Sequence, residues 1–216
     1  MTTSFPVRTK KKAESRARLV RAAQELFATQ GYHQTKLEDV AERAGLHVQT
    51  LYRHFATKED LANAGERFYL ERFRAFISSP DRTDDTFSRW REWIELSNNE
   101  LITDKNHHGY REHLQLRASS YSVLGSLWAI QAEYEQLLTE SLAIDFNLPA
   151  EGCSTPRLVA GMLLAGHGYV VRRYELQEID YKTECLEAVD SVRALFAHLI
   201  VADGLKERHQ ALIEAN

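Results

Sequence analysis

Cysteine and proline are both scarce in this sequence, and each scarcity excludes something. Two cysteines stand among 216 residues. Cys153 and Cys185 have no metal-ligand spacing, so the pattern predicts two reduced thiols in a cytosolic protein rather than a zinc site or a disulfide scaffold. Only four prolines interrupt the chain, and no run of alternating apolar residues marks a half-buried strand. No apolar stretch approaches the roughly 18–20 residues that a membrane helix needs. Met1 to Lys12 is polar and basic with no apolar run behind it, which does not read as a secretory signal, so a cytoplasmic location is expected. Nor does any nucleophile–base–orienter set, phosphate loop or metal motif occur. No enzyme activity and no cofactor are therefore expected.

What is present is an uneven charge distribution. The net charge of −4 argues weakly against a nucleic-acid partner. Residues 1–80, however, hold 14 Lys and Arg against 9 Asp and Glu, whereas the rest holds 13 against 22. A basic front end on an acidic body suggests one polyanion-binding module and one module with another task. The positive residues are densest before Leu26: Arg8, Lys10, Lys11, Lys12, Arg16, Arg18 and Arg21. A solvated tail explains Lys10–Lys12 equally well.

Apolar spacing at i, i+3 and i+4 predicts helices nearly throughout, hence an all-α fold. A first helix, about Ala13 to Thr29, puts Leu19, Ala22, Ala23, Leu26 and Phe27 on one face and stops at Gly31. A second covers about Lys36 to Ala44, capped by a Thr35/Glu38 box, with Leu37, Val40, Ala41 and Ala44 inward. Gly45 breaks it. A third, about His47 to Phe55, buries Leu51 and Phe55. Thr57 and Asp60 cap a longer helix ending before Pro80. The polar segment from Ser78 to Asp85 is the expected domain boundary. Later helices are expected near Thr86–Ile102, Tyr110–Arg117, Val123–Phe146, Thr155–Gln177 and Tyr181–Ala202.

Two short helices joined by a tight glycine turn after a longer first helix form a helix-turn-helix. Its third helix must be anchored by Leu46, Leu51 and Phe55 so that the opposite face projects into the DNA major groove. The run Thr35-Lys36-Leu37-Glu38-Asp39-Val40-Ala41-Glu42-Arg43-Ala44-Gly45-Leu46 comes first. Thr50-Leu51-Tyr52-Arg53-His54-Phe55-Ala56-Thr57-Lys58-Glu59-Asp60-Leu61 follows. Together they closely resemble the TetR family of repressors, specifically over about residues 15–65 and only in architecture beyond.

That resemblance implies an all-helical homodimer whose C-terminal domain binds a small molecule and thereby releases an operator. Residues 1–56 would be the DNA-binding domain with its basic arm, 57–79 a connecting helix, and 80–216 the effector-binding and dimerisation domain. Thr50, Tyr52, His54 and Lys58 match positions that touch phosphates in the family. His47, Val48, Gln49 and Arg53 fall on the recognition face. There Gln49 suits adenine, Arg53 guanine and Val48 a thymine methyl. Thr35 and Lys36 are placed to hold a backbone phosphate at a helix N-terminus. The family usually caps the recognition helix with Ser or Thr. His47 departs from this, so either the cap is weaker or, as preferred here, His47 reads a base.

In the body, Cys185, Ala188, Val189, Val192, Leu195, Phe196 and Leu199 form an apolar stripe, and Gly161, Ala165 and Gly168 permit close helix approach. Both suit the dimer interface, although an intramolecular core explains each helix alone equally well. Trp90, Trp93, Tyr110, Tyr121, Trp128, Tyr134 and Tyr169 supply large rings, most of them expected in the core. Trp93, Tyr110, Trp128 and His167 are the candidates for a pocket that takes a largely apolar effector. His167, amid apolar and small neighbours, is expected to find a protein hydrogen-bond partner more readily than a ligand. Metal ligation by His107, His108 and His113 is disfavoured by their spacing. An all-α enzyme with an incidental helix-turn-helix, or a helical adaptor using a Trp-rich surface, stays open as an alternative.

Overall fold

The computed structural model describes residues 5–79, 82–103, 121–177 and 179–215, and every regular element among them is helical. The chain divides into two compact units, residues 1–67 with 106–128 and residues 68–105 with 129–216. The segment from Ser78 to Asp85, expected as the boundary, is a loop where it is described.

The first unit contains α1 (Phe5–Gln30), α2 (Leu37–Arg43), α3 (Val48–His54) and α4 (Lys58–Ala62). Of the residues the periodicity turns inward, Leu19, Ala22, Ala23, Phe27, Val40, Ala41, Ala44, Leu51 and Phe55 are buried and Leu26 and Leu37 partly so, with Leu61 joining them. Burying a Leu or Phe side chain stabilises the fold by roughly 1.5–3 kcal/mol. Helix α1 starts at Phe5, not near Ala13, so the basic residues Lys10 to Lys12 lie on the helix itself. The single helix expected after Thr57 is broken at Asn63, which is buried and leaves helical geometry (φ −94°, ψ 12°) between α4 and α5 (Ala64–Ile77).

The second unit is built on the rest of α5, α6 (Thr86–Thr103), the part of α7 (Tyr121–Asp145) from Ala129 onward, α8 (Ser154–Leu176) and α9 (Tyr181–Phe196). A 3-10 turn (Ala197–Leu199) and α10 (Leu205–Ala215) complete it. Helix α9 packs on both α8 and α6. Gly166 of α8 lies close to α9, since a Cβ there would stand 3.2 Å from Ala188 Cβ.

Phe73, Phe87, Ile94, Leu138, Leu142, Val159 and Leu163 lie at the centre of its core. Beside them sits a buried polar hub. Asp145 accepts from Arg82 Nη2 at 3.3 Å, from the Thr86 backbone N–H at 2.6 Å and meets His209 Nε2 at 2.7 Å. Burial pushes the Arg82 guanidinium down from its ordinary pKa, and Asp145 opposes that shift. Helix α10, which carries His209, was not expected from the sequence. The helix expected at Tyr110–Arg117 lies outside the described residues. Among those described, no helix is long and apolar enough to cross a membrane.

Candidate nucleic-acid interface and interior aromatic cluster

The local chemistry of the first unit fixes how α3 is presented. Gly45 sits at φ +62°, a region that costs a residue with a side chain energy. A Cβ there would also lie 2.9 Å from Arg18 Nη2. That guanidinium is occupied: it donates to the Ala44 carbonyl at 2.5 Å and the Gly45 carbonyl at 3.3 Å, closing the C-terminal end of α2. Arg16 lies over the Phe55 ring at 5.1 Å, and Arg43 pairs with Glu25 at 2.8 Å. Two arginines of the basic stretch thus hold the fold together, while Lys10, Lys11, Lys12 and Arg21 stay exposed.

Helix α3 is anchored through Leu51 and Phe55, 0% and 3% exposed. This leaves Gln49, Tyr52 and Arg53 on its outer side. Tyr52 is 51% exposed, so it does not belong to the core despite lying between two anchors. Arg53 Nη2 reaches Thr50 Oγ1 at 3.5 Å, which joins a base-reading candidate to a phosphate-contacting one. Val48 is only half available, because its side chain packs against the core.

His47 is the N-cap: its Nδ1 accepts from the Gln49 backbone N–H at 3.3 Å. With Nδ1 accepting, the neutral ring carries its hydrogen on Nε2. The departure from Ser or Thr therefore keeps the cap and still leaves a donor for the exposed side chain to offer.

The Thr35/Glu38 box does not form, and one residue on, only the return half of a box is present. Thr35 is buried, donating its hydroxyl to the Gly31 carbonyl at 2.8 Å and accepting from Gln30 Nε2 at 3.2 Å. Lys36 is the N-cap residue, and its backbone N–H donates to Asp39 Oδ2 at 3.2 Å. Of the two residues expected near a phosphate, Lys36 is exposed and Thr35 is used inside the turn. The Thr57/Asp60 box forms as expected, with reciprocal bonds of 3.0 and 3.2 Å.

His54 and Lys58 have altered electrostatics. Partial burial, then the nearby charges of Lys12, Arg53 and Arg16, lowers the His54 pKa below 6.5. Burial also lowers that of Lys58, whose Nζ lies 4.3 Å from the centre of the Tyr32 ring. Both groups sit where added negative charge would be favoured.

Of the expected pocket residues, Trp93 and His167 belong to the second unit. Trp93 is buried against Phe73 and Phe76 at ring distances of 5.4 and 5.7 Å. Trp128 is 74% exposed, and Tyr110 lies outside the described residues. His107, His108 and His113 also lie outside them.

His167 instead faces three residues that the sequence did not link to it. Trp90 meets it edge-on at 5.8 Å, Tyr181 OH lies 3.3 Å from Nε2, and Cys185 Sγ lies 3.7 Å from Nδ1. Burial pushes the Cys185 thiol up to about 12. Both ring nitrogens of His167 thus lie beside protein groups. The only advance signal for these partners was helical periodicity, which cannot pair residues across helices.

The stripe on α9 is largely interior: Cys185, Val189 and Val192 are buried in the unit's own core. The apolar groups left outside are Leu158, Tyr169 and Leu176 on α8 and Leu195 on α9, 57%, 56%, 87% and 59% exposed. Within the chain, Gly161 has nothing within 4 Å of a built Cβ, whereas Gly166 faces Ala188.

Comparison with known proteins adds the following. Residues 19–64 match the family model described as bacterial regulatory proteins, tetR family. Over 56 residues, 26% of this chain and 25% of the relative, the sequence is 45% identical to the transcriptional regulator TcmR of Streptomyces glaucescens. Over 83 residues, 38% of each chain, it is 42% identical to the transcriptional activator FasR of Mycolicibacterium smegmatis. The chain therefore spans about a quarter to two fifths of the length of these relatives. The structure resembles that of SmeT, repressor of a Stenotrophomonas maltophilia multidrug efflux pump, with a TM-score of 0.63 and 23% identity. That match covers 88% of this chain and 92% of SmeT. At this identity the likeness establishes the all-helical fold.

Proposed function

We propose that the chain, whose residues 19–64 match the tetR family of bacterial regulatory proteins, is a sequence-specific transcriptional regulator of that family. In this reading it binds a double-stranded DNA operator as a homodimer in the cytoplasm and represses until a small molecule releases it. The observation that carries the reading is α3, held from behind by Leu51 and Phe55 while Gln49, Tyr52 and Arg53 face outward. Such a helix fits the major groove, which is roughly 12 Å wide. Tyr52, Thr50, His54, Lys58 and Lys36 would engage phosphates and set register. Gln49, Arg53 and the Nε2 side of His47 would read base edges, with Val48 at the margin.

One such domain covers half a site, so two must be held about one helical turn apart. Leu158, Tyr169 and Leu176 with Leu195 are the apolar groups suited to pairing two copies. The direction of regulation is a finer matter, since one relative is named an activator and a structural neighbour a repressor. Repression is the reading put forward, with an effector bound in the second unit.

The test is gel retardation with the DNA flanking the chain's own gene, at low salt and without effector. Specific retardation is expected. Its absence would favour the enzyme or adaptor readings. Tyr52→Ala and Lys58→Ala should weaken binding to all sequences alike.

A further inference from the structure

The side chain that opens α3 has its chemistry set by the backbone it caps. His47 stands at the N-cap with extended backbone (φ −73°, ψ 142°), and its Nδ1 accepts from the Gln49 backbone N–H at 3.3 Å. His47 is exposed. A backbone amide can only donate, so Nδ1 carries no hydrogen while the cap holds. The one form of the ring with a bare Nε2 is the tautomer protonated on Nδ1, and the cap excludes that form. Nε2–H is therefore an obligate donor, oriented by the bond made at the other ring nitrogen.

The other outward groups of α3 are less constrained. The Gln49 amide can present either its oxygen or its NH2, and the Tyr52 hydroxyl both donates and accepts. Arg53 only donates, but from a long chain nearer the far end of the helix.

We propose that His47 is a specificity-determining residue that reads guanine, its Nε2–H donating to the O6/N7 edge at one position of each half-site and rejecting cytosine there. This rests on the regulator reading given above. The chemistry selects the base. In the major groove guanine presents two adjacent acceptors. Adenine and thymine present one each, beside a donor or a methyl group, and cytosine presents only a donor. A fixed N–H facing cytosine would set two donors against each other.

Placement favours a base over a phosphate. The first residues of a recognition helix are those that approach base edges. Cations from α1 lie instead toward the far end of α3, where Arg16 stands over Phe55 at 5.1 Å and the charge of Lys12 reaches His54. The acting group is the side-chain N–H, because the cap already occupies the Gln49 amide.

The experiment selects binding sites from a random-sequence duplex library with the full-length wild type, His47→Ser and His47→Ala, and records the Tm of each protein. Serine keeps a cap oxygen but offers nothing at the reach of Nε2, whereas alanine loses both. The wild type should enrich one symmetric site, with guanine preferred over cytosine about threefold to tenfold at one position of each half. His47→Ser should keep its Tm and the other base preferences and lose that one. His47→Ala should lose it as well and melt at a lower temperature. Long-range 15N–1H spectra of the free wild type at neutral pH should show hydrogen on Nε2 and none on Nδ1, a check that needs no variant.

An unchanged guanine preference in His47→Ser, a loss spread equally over all sequences (the mark of a phosphate contact), or hydrogen on Nδ1 would each overturn the proposal. Failure of the regulator reading is distinguishable: the wild type would then enrich no sequence, and both readings would go together.

Discussion

The two units hold their shape by different means, and the difference explains where function is written. In the first, polar side chains act close to home. His47 caps α3, Thr57 and Asp60 cap α4, Arg18 closes α2, and Arg43 meets Glu25 in the open. In the second, the decisive polar groups are interior and far apart in sequence, as Arg82, Asp145 and His209 are. Short-range polar contacts secure the first unit, and buried contacts between residues far apart in sequence secure the second.

This contrast predicts a graded set of stability losses. Asp145→Ala should cost most, about 3–5 kcal/mol, because it strands a guanidinium that is 1% exposed. Chemical denaturation measures this, and a loss under 1 kcal/mol would mean that the hub is not what secures the second unit. Gly45→Ala should cost about 1–2 kcal/mol for its left-handed backbone, with a further penalty from the crowding of Arg18. Gly31→Ala is the control, since its φ is +88° with open space around it. Equal losses at the two glycines would remove Arg18 from the account. Glu25→Ala should cost no more than about 1 kcal/mol, because both partners are well exposed.

The smallest expected effect is a pH dependence in DNA binding. The His54 pKa is held below 6.5 in the free protein by burial and by Lys12, Arg53 and Arg16. A nearby phosphate favours the protonated ring and raises that pKa, so binding takes up a proton. Affinity should therefore rise as pH falls through and below 6.5, and His54→Gln should flatten the trend. An unchanged slope in the variant would place His54 away from the phosphates. The lowered pKa has the opposite consequence for folding: its contribution is complete above the unfolded value of 6.5 and is lost as pH falls below it.

The first unit was largely legible in advance because its signals are local. Gly31, Gly45 and Thr57-x-x-Asp60 punctuate helices whose apolar faces repeat within a few residues. The errors there were of register. Thr35-x-x-Glu38 and Lys36-x-x-Asp39 overlap, and the buried turn claimed Thr35 for the Gly31 carbonyl. The break at Asn63 had no proline or glycine to announce it before the helix resumed.

In the body, helix positions were legible and partnerships were not. The α9 stripe reads the same whether it faces its own core or a second copy, and only packing, which buries Cys185, Val189 and Val192 within the unit, tells the two apart. Helix α10 was missed although Gly204, at φ +69°, stands just before Leu205, and Leu205 and His209 repeat at i, i+4. Trp93 and Trp128 share a large ring with a polar tip, yet one is buried and the other 74% exposed, a difference that ring type does not reveal.

The central claim is that α3 discriminates bases through its outward side chains. It is tested most directly by measuring Gln49→Ala affinity on the operator, on each single-base-pair variant of it, and on random DNA at one salt concentration. The account predicts that discrimination collapses by about 1–3 kcal/mol at one position of each half-site while binding to random DNA is unchanged. An equal loss on operator and random DNA would contradict it.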